Sequence, residues 1–147
     1  MTNNKLKKIK ILDLFSGCGG LSFGFERVGF EVVAGIDNWD DALKTFQLNH
    51  KNAKALNIDM GNPNLKKIKE QVGNIDVIVG GPPCQGFSIS GNRDLNDPRN
   101  MLYKGFVETV RMFNPRVFVL ENVPNLVSIG QGKIKDAIIA DFTKLGY

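Results

Sequence analysis

Short apolar runs alternate along this chain with segments whose apolar residues recur every three or four positions. Runs at Ile9–Leu14, Glu31–Ile36, Ala53–Ile58, Ile75–Val79 and Arg116–Glu121 predict strands, the third being the weakest. Segments Leu21–Val28, Trp39–Asn49, Asn64–Gln71, Asn100–Phe113 and Lys133–Leu145 predict helices. The last carries Ile134, Ile138, Phe142 and Leu145 at helical spacing, with Gly146 placed to cap it. Strictly alternating strands and helices, with strands apolar enough to be buried on both faces, predict an α/β protein with a doubly wound, mainly parallel sheet. There is no internal repeat, low-complexity segment or interdomain linker, so residues 1–147 read as one domain. Residues 85–98 break the alternation as a long polar loop, and such loops in compact domains are functional or disordered.

Composition narrows the class without naming a partner. With 147 residues, 42% of them hydrophobic, the chain can bury a proper core. No apolar run approaches the ~18 residues of a membrane helix, and Met1 to Lys10 lacks the apolar stretch of a signal peptide. A cytoplasmic protein with no membrane contact is expected. Cys18 and Cys84 form neither a disulfide framework nor a metal-ligand pattern, so no metal is expected and both thiols are read as reduced. The formal charge of +4 comes from Lys5, Lys7, Lys8 and Lys10, because the other basic residues equal the 15 acidic ones. That cluster reads as a solvated tail or a weak nucleic-acid contact.

The first strand runs into Asp13-Leu14-Phe15-Ser16-Gly17-Cys18-Gly19-Gly20. A glycine-rich turn there lets a ligand approach the backbone, and Asp37 ends the second strand at the distance expected of an acid that accepts from ribose hydroxyls. Ser22 occupies the third glycine position of a dinucleotide fingerprint, which disfavours NAD. Asp13 and Phe15 serve a pyrophosphate poorly but suit a cation and an adenine face. S-adenosylmethionine has no phosphates and bears a sulfonium and an ammonium, so it fits this loop better. Asp59 ends the third strand, where it either reaches the adenine amino group or serves as a turn or cap residue.

The most informative stretch follows the fourth strand: Gly80-Gly81-Pro82-Pro83-Cys84-Gln85. Two prolines stiffen the approach to a thiol at the sheet rim, where α/β proteins place ligands. Glu121 stands at the end of the fifth strand. If strands four and five pair, ~4.8 Å apart, both segments open onto one crevice. A thiolate adding to a ring carbon while a carboxyl protonates or hydrogen-bonds a ring nitrogen is chemistry for a flat heterocycle. Partial burial of Glu121 would favour the protonated acid. Taken singly, Cys84 also reads as a buried small hydrophobe and Glu121 as a salt-bridge or cap residue.

The blocks Asp13 to Leu21, Gly81-Pro82-Pro83-Cys84-Gln85-Gly86-Phe87-Ser88 and Glu121-Asn122-Val123 resemble, in order and spacing, those of the cytosine-C5 DNA methyltransferases. Asp97-Pro98-Arg99-Asn100-Met101-Leu102 resembles the block between the last two. The resemblance covers nearly the whole chain and implies a Rossmann-like S-adenosylmethionine-dependent methyltransferase fold. By position, it implies Cys84 as the nucleophile on cytosine C6 and Glu121 as the group on the N3 and amino edge. It implies a cofactor pocket lined by Phe15, Gly17, Gly19 and Gly20, with Asp37 on the ribose and Asp59 on the adenine amino group. Pro83 and Leu102 would line the cofactor and base pocket. Ser88 and Arg99 would contact the nucleic acid or brace the catalytic loop, and Cys18 would be a small packing residue. The target cytosine would be flipped out of DNA beneath the loop 85–98.

Two departures stand out. Asn38 follows the ribose acid where the family often has an apolar residue against adenine, and Trp39 comes one place late. The family also continues with C-terminal strands, a target-recognition region and a closing segment that do not appear before Tyr147. The expected sheet order 3-2-1-4-5 would leave Val117-Phe118-Val119-Leu120 as a bare apolar edge. The chain is therefore expected to be the catalytic-core portion, a fragment or subunit of a restriction-modification enzyme, poorly active alone and paired with a second polypeptide. Alternatives are a tRNA cytosine-C5 methyltransferase and a non-catalytic subunit or remnant.

Overall fold

A computed structural model describes residues 8–83 and 100–147. The elements are β1 (Lys10–Leu14), α1 (Gly20–Arg27), β2 (Glu31–Asp37), α2 (Asp40–Asn49), β3 (Lys54–Asn57), α3 (Leu65–Val72), β4 (Val77–Gly80), α4 (Asn100–Phe113), β5 (Val117–Leu120) and α5 (Lys133–Lys144). All ten expected elements form, with ends shifted by up to two residues. The third strand is four residues long, and Pro124–Val127 and Ile129–Gly132 form 3-10 turns that periodicity did not announce.

The sheet runs β3-β2-β1-β4-β5 and every pair is parallel. The order reverses between β1 and β4, which opens a crevice beyond their C-terminal ends. Leu12, Leu14, Ala34, Ile36 and Ile78 face α3, α4 and α5, and the largest core lies there with Ile68, Phe106, Val110 and Phe142. On the opposite face Ile11, Val77 and Val79 pack against Phe25 and Phe30, while Val32 and Ala53 pack against Phe46 of α2. Helices on both faces make the sheet doubly wound, as the alternation predicts.

Two local devices fix the helices that carry site residues. A Cβ at Gly105 would lie 2.0 Å from the Met60 carbonyl oxygen, so only glycine lets α4 approach that backbone. Tyr147 donates its hydroxyl to the Pro115 carbonyl at 2.6 Å, and Phe142 stacks on Phe118 with ring centroids 4.1 Å apart. These contacts tie α5 to the segment entering β5. β5 is the last strand of the sheet, and on its other face Val117 and Val119 are 52% and 37% exposed, so among the described residues this apolar strand lies at an uncovered edge. No helix among the described residues is long and apolar enough to cross a membrane.

Candidate functional site

The chain turns sharply after β1. Phe15, Gly17 and Gly19 all have positive φ, and Gly19 donates its amide to the Ser16 carbonyl at 2.8 Å. The turn is anchored to the end of β2: Ser16 donates to the Ile36 carbonyl at 3.0 Å, and Gly17 donates to Asp37 Oδ2 at 2.8 Å. The other Asp37 oxygen accepts from the Trp39 amide at 3.0 Å. The twenty-residue spacing from Gly17 to Asp37 is thus a direct hydrogen bond. It holds a carboxylate at the rim with its backbone partners already in place.

A cavity at this rim is lined by Phe15, Asp37, Asn38, Ile58, Met60, Pro83 and Leu102. Four expected cofactor residues, Phe15, Asp37, Pro83 and Leu102, therefore converge from four separate segments. None of the three expected glycines lines the cavity. Gly17 and Gly20 leave open space where a Cβ would stand. Gly19 is buried, and its absent Cβ would lie 2.5 Å from His50 Nε2. Asp59 does not line the cavity either. Its Oδ1 accepts from the Gly61 amide at 2.8 Å as a turn residue, while its neighbours Ile58 and Met60 form the wall. Asn38 takes the place beside Asp37, and Trp39 points to solvent at 65% exposure. Cys18 is exposed rather than packed, because the turn directs its side chain outward while its carbonyl accepts from Asn49 at 2.8 Å.

β4 and β5 pair with Gly80 opposite Leu120, so the residues that follow them enter one crevice. The Glu121 amide donates to the Gly80 carbonyl at 2.9 Å. Its Oε2 stands 2.9 Å from where a Gly81 Cβ would be, so glycine leaves room for the carboxylate beside the Pro82-Pro83 step. Asn122 donates from Nδ2 to the Pro82 carbonyl at 2.8 Å and braces that step from the neighbouring strand. Glu121 is exposed, so the described residues do not supply the partial burial expected of it. Cys84, Ser88 and Arg99 lie outside the described residues. Among the described residues no group of histidine, cysteine and carboxylates could hold a metal ion.

Sequence reasoning missed Ile58 and Met60, which carry no motif, and the bracing role of Asn122, which lies inside a quoted block. It also missed a buried polar layer beneath the glycine turn. Asp13 is 1% exposed, and its Oδ2 and the Ser16 hydroxyl have no hydrogen-bond partner among the described residues. Burial pushes the Asp13 carboxyl from its ordinary 3.8 up to about 6, against the opposing pull of Ser22 hydrogen bonds and the charge of His50; the Asp37 charge adds to the rise.

The folded protein thus holds this proton more tightly than the unfolded chain. The resulting stability is fully present below the unfolded value near 3.8 and is lost as pH rises through about 6. Asp13→Asn does not titrate, so the stability of the unsubstituted chain relative to it should fall between pH 4 and 7 by at most about 3 kcal/mol. Denaturant unfolding at the two pH values checks this. An equal gap at both would show that Asp13 ionises without cost.

Comparison with known proteins follows the same geography. Residues 9–147 match the family described as C-5 cytosine-specific DNA methylase. The chain is 41% identical over 142 residues to the type II methyltransferase M.DdeI of Desulfomicrobium norvegicum, a match covering 95% of this chain and 34% of that protein. It is 42% identical over 141 residues to M.HindV of Haemophilus influenzae, covering 95% of this chain and 44% of the relative. Among solved structures, a prophage-encoded E. coli protein classed as a DNA modification methyltransferase superposes with a TM-score of 0.78 at 34% identity. That match covers 93% of this chain and 38% of the other. The chain spans between a third and a half of the length of these relatives.

Proposed function

The chain belongs to the C-5 cytosine-specific DNA methylase family, and from that premise we propose that it is the S-adenosylmethionine-binding, base-activating portion of an enzyme that methylates C5 of cytosine in DNA. The observation that carries this is one juxtaposition. Pro83 lines the cavity that holds Asp37 and Phe15, and the same Pro-Pro step lies beside Glu121. Cys84, the next residue, therefore follows directly from a cavity wall that is shared with the acid's crevice.

The cavity suits an adenosine moiety. Phe15, Ile58, Met60 and Leu102 give apolar walls for a flat ring, and Asp37 presents an acceptor already fixed by two amides. When bound, S-adenosylmethionine supplies an electrophilic methyl on a sulfonium. The residues of this chain prepare the base to take it. The Cys84 thiolate adds to C6 of a flipped cytosine, and the electron pair moves toward C5, with Glu121 hydrogen-bonded at the N3 and amino edge. C5 would then take the methyl with the thioether as leaving group, and loss of the C5 proton to solvent with expulsion of the Cys84 thiolate would restore the ring. A base filling the crevice would provide the burial that the exposed Glu121 otherwise lacks. Gly17, Gly20 and Asp37 hold the cofactor, Ser88 and Arg99 serve the nucleic acid or the catalytic loop, and Asp59 acts through its turn.

Relatives named as type II methyltransferases support a restriction-modification role, for which a cytoplasmic location is proposed. A second polypeptide portion completing the sheet beside β5 is supported by the exposed Val117 and Val119 and by the longer relatives. Transfer of tritiated methyl from S-adenosylmethionine to DNA tests the reading, run on the chain alone and with a polypeptide supplying a C-terminal half. The expected result is feeble transfer alone and robust, DNA-selective transfer when complemented. Preferential labelling of tRNA would replace the substrate class. Failure to label either in the complemented mixture would leave a non-catalytic subunit.

A further inference from the structure

The chain's single histidine lies outside the chemistry just described, yet it is one of its most buried polar side chains. His50 closes α2, donating its amide to the Phe46 carbonyl at 2.8 Å. Its ring lies on Phe46 at 4.5 Å and meets the Phe23 edge at 6.1 Å, directly beneath Gly19. Nδ1 is 2.7 Å from Glu26 Oε2, and Nε2 is 3.1 Å from the Gly19 carbonyl and 3.3 Å from Ser22 Oγ.

Three oxygens face the ring. The Glu26 carboxylate at 2.7 Å is an acceptor, so Nδ1 donates to it and fixes the ring plane. Nε2 then meets two groups of the glycine turn, the Ser22 hydroxyl and the Gly19 carbonyl. The Gly19 oxygen accepts from the Phe23 amide at 2.9 Å, at the start of α1. Two residues earlier in the same turn, Gly17 binds the carboxylate of Asp37 at the cavity.

We propose that His50, its ring fixed by Glu26, is the positioning residue of the glycine turn: it supports Gly19 and Ser22 from below and so sets the backbone that Asp37 and the cofactor meet from above. The glycine at position 19 is then required by the ring beneath it, where a Cβ would collide, and not by the ligand. For its ligand this inference rests on the cofactor reading above, but its exchange readout does not.

The experiment uses the isotope-labelled full chain. Hydrogen exchange of the Gly17 and Gly19 amides reads the turn directly. Glu26→Leu, which removes the acceptor that orients the ring, and His50→Phe, which keeps the packed floor, should each speed exchange at those two amides by roughly 10-fold, the scale of one hydrogen bond. Strand amides such as Leu12 should stay protected. S-adenosylmethionine should bind these variants roughly 10-fold more weakly by the same coupling. Unchanged turn exchange in both variants, or uniform acceleration across the strands, would overturn the proposal. If the unsubstituted chain takes up no S-adenosylmethionine while the exchange results hold, the cofactor reading fails and the positioning role stands.

Discussion

Cys84→Ser is expected to abolish covalent capture of DNA containing 5-fluorocytosine, in the chain alone and in any complemented mixture. The substitution changes one atom and preserves the steric demand of the site, so the Pro82-Pro83 step and its brace from Asn122 should persist. What is lost is ionisation. A thiol gives an appreciable thiolate fraction near neutral pH, whereas a serine hydroxyl needs an activating base. Fluorine at C5 blocks the elimination that follows methyl transfer, so in the presence of S-adenosylmethionine each addition that goes on to methylation accumulates as a protein–DNA complex stable to denaturation. Denaturing electrophoresis reads this directly. A complex that survives in the serine variant would remove Cys84 from the nucleophile's role.

Glu121→Gln should lower methyl transfer by roughly 10²- to 10⁴-fold while leaving S-adenosylmethionine affinity unchanged. Glutamine keeps the side-chain length and a carbonyl acceptor but cannot shift a proton to a ring nitrogen. The carboxylate stands over Gly81 and not in the lining of the cofactor cavity, which separates its effect on rate from any effect on cofactor binding. Its exposure also predicts little change in stability, since no buried partner is left uncompensated. Single-turnover transfer and calorimetric titration of the cofactor measure the two quantities. Weakened cofactor binding with an unchanged transfer rate would place Glu121 at the cofactor instead of the base.

Both predictions concern residues that the sequence itself singled out, and the reason is chemical. The Gly81-Pro82-Pro83-Cys84 step and Glu121 combine unusual residue types with strand ends, and the pairing of β4 with β5 brings Gly81 and Glu121 together as that placement implied. Gly17 and Asp37 were legible for a similar reason: a turn and a strand end at a set spacing become a 2.8 Å hydrogen bond. Asp59 shows where such reasoning stops. An acid at a strand end satisfies the pattern equally well as a pocket residue and as a turn residue, and in the structure one of its oxygens accepts from the Gly61 amide in a turn. Ile58 and Met60, on either side of it, form the wall through burial, which no motif advertises.

Alternation of apolar runs was sufficient by itself to determine a doubly wound parallel sheet, because strands buried on both faces leave helices no other place. Motif spacing was sufficient to identify the family. Only the tertiary structure decided which neighbours these residues meet. It put His50 and Glu26, 24 residues apart, into contact beneath Gly19, buried Asp13 below the turn, and turned Cys18 outward. Burial, hydrogen-bond partnership and charge depend on distances between segments. Those distances arise when helices close over a sheet, and local sequence carries no direct measure of them.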